Sequence, residues 1–258
     1  MSNFTFYLCL SFLIALTGFV ISVIINDSSI ADIFWGLYFV AIADFSFFKL
    51  HYAVLHLIIA LLINIWGIRL AIHILRRKLH KPEDRRYAEF RLKWGKYFLI
   101  RSLIQNYLFQ ALLATIIALP IYNSLISNKA IHLNLFYVVG ILIWLFGFIF
   151  EVIADKQLSS FLIIKDESHQ ILQTGLWRYS RHPNYFGEVV LGWAIFLVTF
   201  STRFSLINLF SPILISFLIL FVSGVPLAEK RLRKTVNYKD YINRTSVFIP
   251  LPTKKEKI

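Results

Sequence analysis

The sequence predicts an all-α fold, a polytopic integral membrane bundle of about seven transmembrane helices, from three observations. Of the 258 residues, 58% are hydrophobic and only 16% charged, with a mean hydropathy of +0.67. So few charges cannot cover a soluble surface. The apolar residues come in blocks of about twenty, the length of a membrane helix, and not in the ten-residue alternation of a barrel. Basic residues gather between the blocks.

Taken in order, the blocks place spans at 4–25, 28–48, 53–75, 102–126, 133–154, 184–200 and 205–222. No Lys or Arg precedes Lys49, so the first block lacks the basic start of a signal peptide and is expected to be a retained span. The second has an apolar run only from Ile30 to Ala43, which makes Asp32 and Asp44 its expected ends, with a re-entrant segment as the alternative. Arg69 and His73 are expected to snorkel at the end of the third. The segment 83–96 then reads as an interfacial helix, with Trp94 and Tyr97 as headgroup anchors. Pro120 and Pro212 are expected to kink spans four and seven, because each removes a backbone donor. The tail AEKRLRKTVNYKDYINRTSVFIPLP (228–252) is expected to fold back as a basic amphipathic helix.

The net charge of +13 is unevenly placed. Segments 76–101, 155–183 and 223–258 carry ten, four and nine basic residues, and seven spans put all three on one side. The positive-inside rule then predicts an outside N-terminus and a cytoplasmic C-terminus, with the charge facing anionic lipid and no nucleic-acid partner. Cys9 is the single cysteine, and neither a CxxC pair nor an HExxH helix occurs, so no metal site is expected; His51, His56 and His132 read as structural. The chain is expected to form one membrane domain over 1–258, with N-terminal spans and a basic loop in 1–101 and a cofactor-binding half in 102–258. A bacterial inner membrane is the expected location.

Chemistry concentrates between Phe150 and Glu188. Glu151 and Asp155 stand at i and i+4 near the expected end of span five, and ionisable groups at that depth need a partner or a polar cavity. Farther on, Trp177, Arg178, Tyr179, Arg181 and His182 lead to Pro183, a residue suited to the first turn of a helix. The helix start favours an anion, Arg178 and Arg181 flank it, and Asn184 and Glu188 project together from its first turn. Gly187 permits close approach of a neighbour or ligand. In the tail, Tyr238 and Tyr241 share a face at i and i+3.

GLWRYSRHPNYFGE, followed by a hydrophobic span, a basic segment with YKDY and a final IP, resembles the superfamily of steroid 5-alpha-reductases, sterol C14-reductases and isoprenylcysteine carboxyl methyltransferases. ADIFWG (31–36), EDRRYAEFRLKWGK (83–96), ADKQLSSF (154–161) and SGVPLAEK (223–230) resemble one subgroup in particular, the bacterial steroid-reductase-like family of unknown function (DUF1295). The resemblance implies a cytoplasm-facing cofactor cavity in the C-terminal half and a lipid-like substrate arriving from the bilayer. By motif position, it implies cofactor contacts at Asp155, Asn184 and Glu188, and at Tyr238 or Tyr241. Reductases of this kind often carry Asn where Glu151 stands, and an Arg where this chain has Ser159; Lys156, Lys165, Arg178 or Arg181 would then meet the phosphates. Their N-terminal substrate-holding carboxylate has Asp32 as its candidate here.

NADPH presents phosphates that call for arginines, whereas S-adenosylmethionine carries a sulfonium and calls for carboxylates and aromatic faces. The arginines favour NADPH-dependent reduction of a C=C bond in a sterol-, isoprenoid- or lipid-like substrate. In that reading Asn184 and Glu188 hold the nicotinamide end, Asp155 a ribose or adenine-side hydroxyl, and Arg178 and Arg181 the phosphates, with Tyr179, Tyr185 or His182 as proton donor. The alternatives are a methyltransferase using S-adenosylmethionine, in which Glu188, Asp155 and His182 hold the methionine part, and a non-catalytic lipid-binding protein.

Overall fold

A computed structural model describes residues 2–50, 54–79, 81–125, 133–164, 171–200, 205–233, 235 and 238–253. His51, Lys129, His132, Lys165 and Arg203 lie outside the described residues. Among the described residues all regular structure is helical: α1 (Asn3–Ile24), α2 (Ala31–Leu50), α3 (Val54–Lys78), α4 (Arg85–Trp94), α5 (Phe98–Ser102), α6 (Phe109–Ile117), α7 (Leu119–Leu125), α8 (Leu135–Ile164), α9 (Pro183–Phe200), α10 (Phe210–Phe217), α11 (Val225–Leu232) and α12 (Tyr238–Arg244). Seven helical runs among them are long and apolar enough to cross a membrane: Asn3–Ile24, Ser28–Lys49, Val54–Lys78, Arg85–Ile117, Leu135–Ile163, Pro183–Phe200 and Leu206–Leu232. The polytopic all-α expectation holds. Contacts sort the chain into two compact units, one of 1–133 with 199–208 and one of 134–198 with 209–258.

In the first unit α1 turns mostly small and polar residues inward and large apolar ones outward. The buried stripe of α1 is Tyr7, Ser11, Ala15, Gly18 and Ser22, whereas Leu13, Val20 and Ile24 are exposed. Lipid is as apolar as leucine, so helices gain by close backbone approach and interhelical hydrogen bonds. Gly36 and Gly67 bring α2 and α3 together so closely that a methyl on Gly67 would sit 2.7 Å from the Gly36 carbonyl oxygen. Ser46 donates to the Tyr7 hydroxyl at 2.8 Å, Thr115 and Ser11 share a hydrogen bond at 2.9 Å, and Asn64 donates to Asp44 at 2.7 Å. Span two is a continuous helix long and apolar enough to cross a membrane, with Asp32 in its first turn and Asp44 inside it, partnered by Asn64 of α3.

The fourth run differs from the expectation. Residues 85–94 lead through Gly95, at a left-handed φ of 49°, into one helical run to Ile117, which includes a π-helical segment at Leu103–Leu108. Pro120 sits just past a break in the helix at Ala118. Its missing N–H and ring clash end the ladder beforehand, so Ala118 closes α6 on the Ala114 carbonyl and Pro120 falls in the first turn of α7. Pro212 likewise falls in the first turn of α10.

An ionic cluster ties the start of α2 to the chain entering α4. Asp32 accepts from Arg86 Nη2 at 2.6 Å and from the Tyr87 hydroxyl at 2.8 Å, and Glu83 accepts from the Ser28 N–H at 2.8 Å and from Arg91 Nη2 at 3.0 Å. Lys78 pairs with Asp27.

In the second unit α8 runs ten residues beyond the expected end of span five, since no Gly or Pro interrupts 148–164. Glu151 and Asp155 are thus inside a continuous helix and buried, not at its solvated end. Helix α9 crosses α8 at Gly147 and Gly187; a methyl on Gly187 would meet the Gly147 carbonyl oxygen at 2.9 Å and Glu151 Cβ at 2.8 Å. The tail is not one amphipathic helix, because α11 ends at Leu232 and α12 begins at Tyr238.

Burial alone would raise the Asp27 carboxyl, yet the hydrogen bonds from Lys78 and Ser29 outweigh it and hold the group below the ordinary aspartate range. A carboxyl depressed in the folded state stabilises the fold above its unfolded value of about pH 4 and loses that contribution as pH falls through the folded value. The detergent-solubilised protein should therefore unfold at lower temperature below about pH 4, and Asp27→Asn should flatten that acid limb; an unchanged limb would remove Asp27 from the account.

Candidate functional site

Three segments of the second unit build the site: α8 around Asp155, the turn leading into α9, and the tail from α11 to Thr253. The turn begins at Gly175, whose left-handed φ of 59° suits glycine and whose missing side chain is filled by Gln157. Gln157 Oε1 accepts from the Leu176 N–H at 3.0 Å. Trp177 is buried and donates its indole N–H to the Ala154 carbonyl at 3.1 Å, which pins the turn to α8 one residue before Asp155.

The tail then clasps the turn. Arg181 N–H donates to the Ser246 carbonyl at 2.9 Å, Ser180 Oγ to the Phe248 carbonyl at 2.7 Å, and Leu251 N–H to the Tyr179 carbonyl at 3.0 Å, in a short parallel pairing. Tyr241 donates to the Trp177 carbonyl at 2.5 Å, and Thr245 Oγ1 to the Arg178 carbonyl at 3.3 Å.

At the centre lies a buried ionic cluster. Arg181 donates Nε to Glu229 Oε1 at 3.0 Å and Nη2 to Oε2 at 3.4 Å, while Nη1 reaches the carbonyls of Thr245 at 2.9 Å and Ile242 at 3.2 Å. His182 Nε2 lies 2.8 Å from Glu229 Oε1. An ionised carboxylate only accepts, so the network assigns the proton to Nε2. The Tyr238 hydroxyl lies near the same carboxylate, short of a well-formed hydrogen bond. Burial first, and the neighbouring Glu229 second, raise the phenol of Tyr238 above its ordinary value; burial likewise raises Tyr241.

Beside this cluster, Pro183 opens α9 and Asn184 follows in its first turn. Asn184 Nδ2 donates to Asp155 Oδ1 at 3.2 Å, and its Oδ1 is buried with no hydrogen-bond partner among the described residues. Tyr185 stacks on the His182 ring at a centroid distance of 5.6 Å. Glu188 is half-buried one turn along, and Glu151 is buried against Gly187. On the other side of the turn, Arg178 and Arg244 line a cavity of about 500 Å³ with Gln173, Thr174, Thr245 and Thr253. Among the described residues its side-chain lining carries no carboxylate.

Structure thus joins Asp155 with Asn184, Arg181 with His182, Tyr238 and Tyr241, and Arg178 with Arg244. It separates the two motif arginines: Arg181 is buried among protein partners, while Arg178 is exposed on the cavity. Tyr179 is 42% exposed and joins the clasp through its backbone. Glu229, Ser180 and Thr245 were not singled out as site residues. Glu229 is the sole acidic residue between Glu188 and Asp240, within a basic stretch. That isolation is its sequence signal, but a local pairing with Lys230 or Arg233 explains it equally well.

A multi-pass helical membrane protein with a polar, arginine-bearing site at the first turn of one span is the class these features define. The chain belongs to the family described as "Protein of unknown function (DUF1295)", whose match covers residues 18–245. It is also similar to an uncharacterized protein of Schizosaccharomyces pombe, 24% identical over 94% of this chain and 78% of that protein. No solved structure matches it.

Because Tyr241 satisfies a buried carbonyl, Tyr241→Phe should cost about 1–3 kcal/mol. The expected readout is a lower unfolding temperature in detergent and faster proteolysis within 238–253. Tyr238→Phe should cost less. Equal effects of the two would contradict the geometry.

Proposed function

We propose that the protein is a membrane oxidoreductase that reduces a C=C bond of a hydrophobic, sterol-, isoprenoid- or lipid-like substrate with NADPH. The observation that carries this reading is the cavity holding Arg178 and Arg244 with Thr174 and Thr253 and, among the described residues, no acid. Its volume lies in the ordinary range for a small-molecule site. Guanidinium and hydroxyl donors with no carboxylate suit phosphate oxygens.

A second feature fits the same cofactor. Asn184 presents a buried acceptor that lacks a partner, its amide fixed by Asp155, and a carboxamide N–H is the kind of group it would accept from. NADPH, when bound, supplies the hydride. The chain supplies the rest: Arg178 and Arg244 hold phosphate, Asn184 orients the nicotinamide end, and Asp155 orients Asn184. Arg181 directs its donors at Glu229, Ile242 and Thr245, so we assign it to the scaffold and not to phosphate. His182, buried and bonded to Glu229, orders the helix start, which leaves Tyr185, half-buried against it, as the assigned proton donor.

We further assign the family to the superfamily of steroid reductases and isoprenylcysteine methyltransferases, on the HPNYFGE core at 182–188. Charge asymmetry supports a cytoplasmic site and an outside N-terminus. The carboxylates Glu151, Asp155 and Glu188 around the start of α9 favour the second reading, methyl transfer from S-adenosylmethionine, but that cofactor brings no phosphate to Arg178.

Fluorescence titration of the detergent-solubilised protein distinguishes the two. NADPH should bind, more weakly as salt rises, and Arg178→Ala should weaken it about tenfold or more, the loss of one charge-assisted hydrogen bond. Binding of S-adenosylmethionine without NADPH would overturn the proposal.

A further inference from the structure

Two features of the proposed cofactor site sit on different chain segments, and besides the backbone clasp one buried carboxylate joins them through side chains. The cavity wall contributed by Arg244 and Thr245 lies at the C-terminal end of α12. The amide of Asn184 lies in the first turn of α9. Neither segment contains Glu229, and Glu229 does not line the cavity.

Its two oxygens nevertheless reach both. Through Arg181, whose Nη1 holds the carbonyls of Ile242 and Thr245, Glu229 sets the end of α12. Through His182 Nε2 it sets the residue that precedes Pro183, and so the direction in which α9 begins. Carbonyl partners alone leave the Arg181 guanidinium buried without a counter-charge, a state that a protein avoids by moving the group. Loss of Glu229 therefore releases both walls together.

We propose that Glu229 is a positioning residue that holds the cavity arginine wall and the Asn184 helix start in register, without touching cofactor. This rests on the reading of the cavity as a nucleotide site. It makes a prediction that a simple core ion pair does not: the two distant walls respond as a pair, and the rest of α8 does not respond.

The test combines NADPH titration with hydrogen–deuterium exchange on the full detergent-solubilised chain. Glu229→Gln should weaken NADPH binding about tenfold or more, and Glu229→Asp, which keeps the charge, should recover part of that loss. In an Arg244→Ala background the same substitution should weaken binding by less than about threefold, because coupled residues are not additive. Exchange should accelerate in 178–184 and 242–246 and stay unchanged in 140–150 of α8. Wild-type protein that binds NADPH while Glu229→Gln binds it equally well would overturn the inference. So would exchange that rises uniformly through the unit, the mark of a merely structural pair. Should wild type bind no NADPH, the nucleotide reading fails, and the exchange pattern alone upholds or overturns the coupling of the two walls. If Glu229→Gln does not fold, Glu229→Asp is read by the same two measurements.

Discussion

A buried carboxylate shared by an arginine and a histidine organises the second unit. Glu229 accepts from Arg181 and His182 within hydrogen-bond distance, and Arg181 reaches on to two carbonyls of the tail. Buried ion pairs are weak sources of net stability, because desolvation offsets attraction, but breaking one by removing a partner costs about 3–5 kcal/mol. The cluster therefore contributes mostly specificity of arrangement. Every element of the proposed site is attached to it directly or through one intermediary: the helix start through His182, the tail through Arg181, and α8 through Trp177 and the Asp155 to Asn184 contact.

The same logic of polar interior against apolar exterior governs the first unit. Inward-facing Ser11, Ser46 and Thr115 and the glycine contact between α2 and α3 do the work that leucines do in a soluble core. Exposed leucines and isoleucines on α1 and α3 are what a lipid-facing surface requires. At the start of α2, Asp32 is held by Arg86 and Tyr87, so the candidate substrate-holding carboxylate is partnered within its own unit.

How much of this was legible in the sequence follows from the range of the interactions. Spans were legible because length and hydropathy are local, and all seven expected blocks correspond to helical runs. Their ends were less so. Asp155 looked like a terminus because a carboxylate is costly in lipid, but its partner Asn184, 29 positions on, lets α8 continue. Pro120 and Pro212 were legible as interruptions of the helix ladder: Pro120 follows a break at Ala118, and Pro212 falls in the first turn of α10. In the site, the motif residues around His182 were legible from their density. Arg181 was expected at phosphate on the strength of its neighbour Arg178, and only the fold shows that the two side chains part. Glu229 stayed hidden because its partners lie 47 and 48 residues away, a distance no local pattern reports.

The central claim, that the arginine-lined cavity and the α9 start serve a reductive step on a hydrophobic molecule, is met most directly by untargeted lipid mass spectrometry of cells with and without the gene. Loss of the protein should cause accumulation of a lipid poorer by one H₂ than its normal counterpart, reversed by the wild-type gene and not by one encoding Asn184→Ala. Accumulation of a lipid lacking one CH₂ unit, or an unchanged lipid profile, would contradict the account.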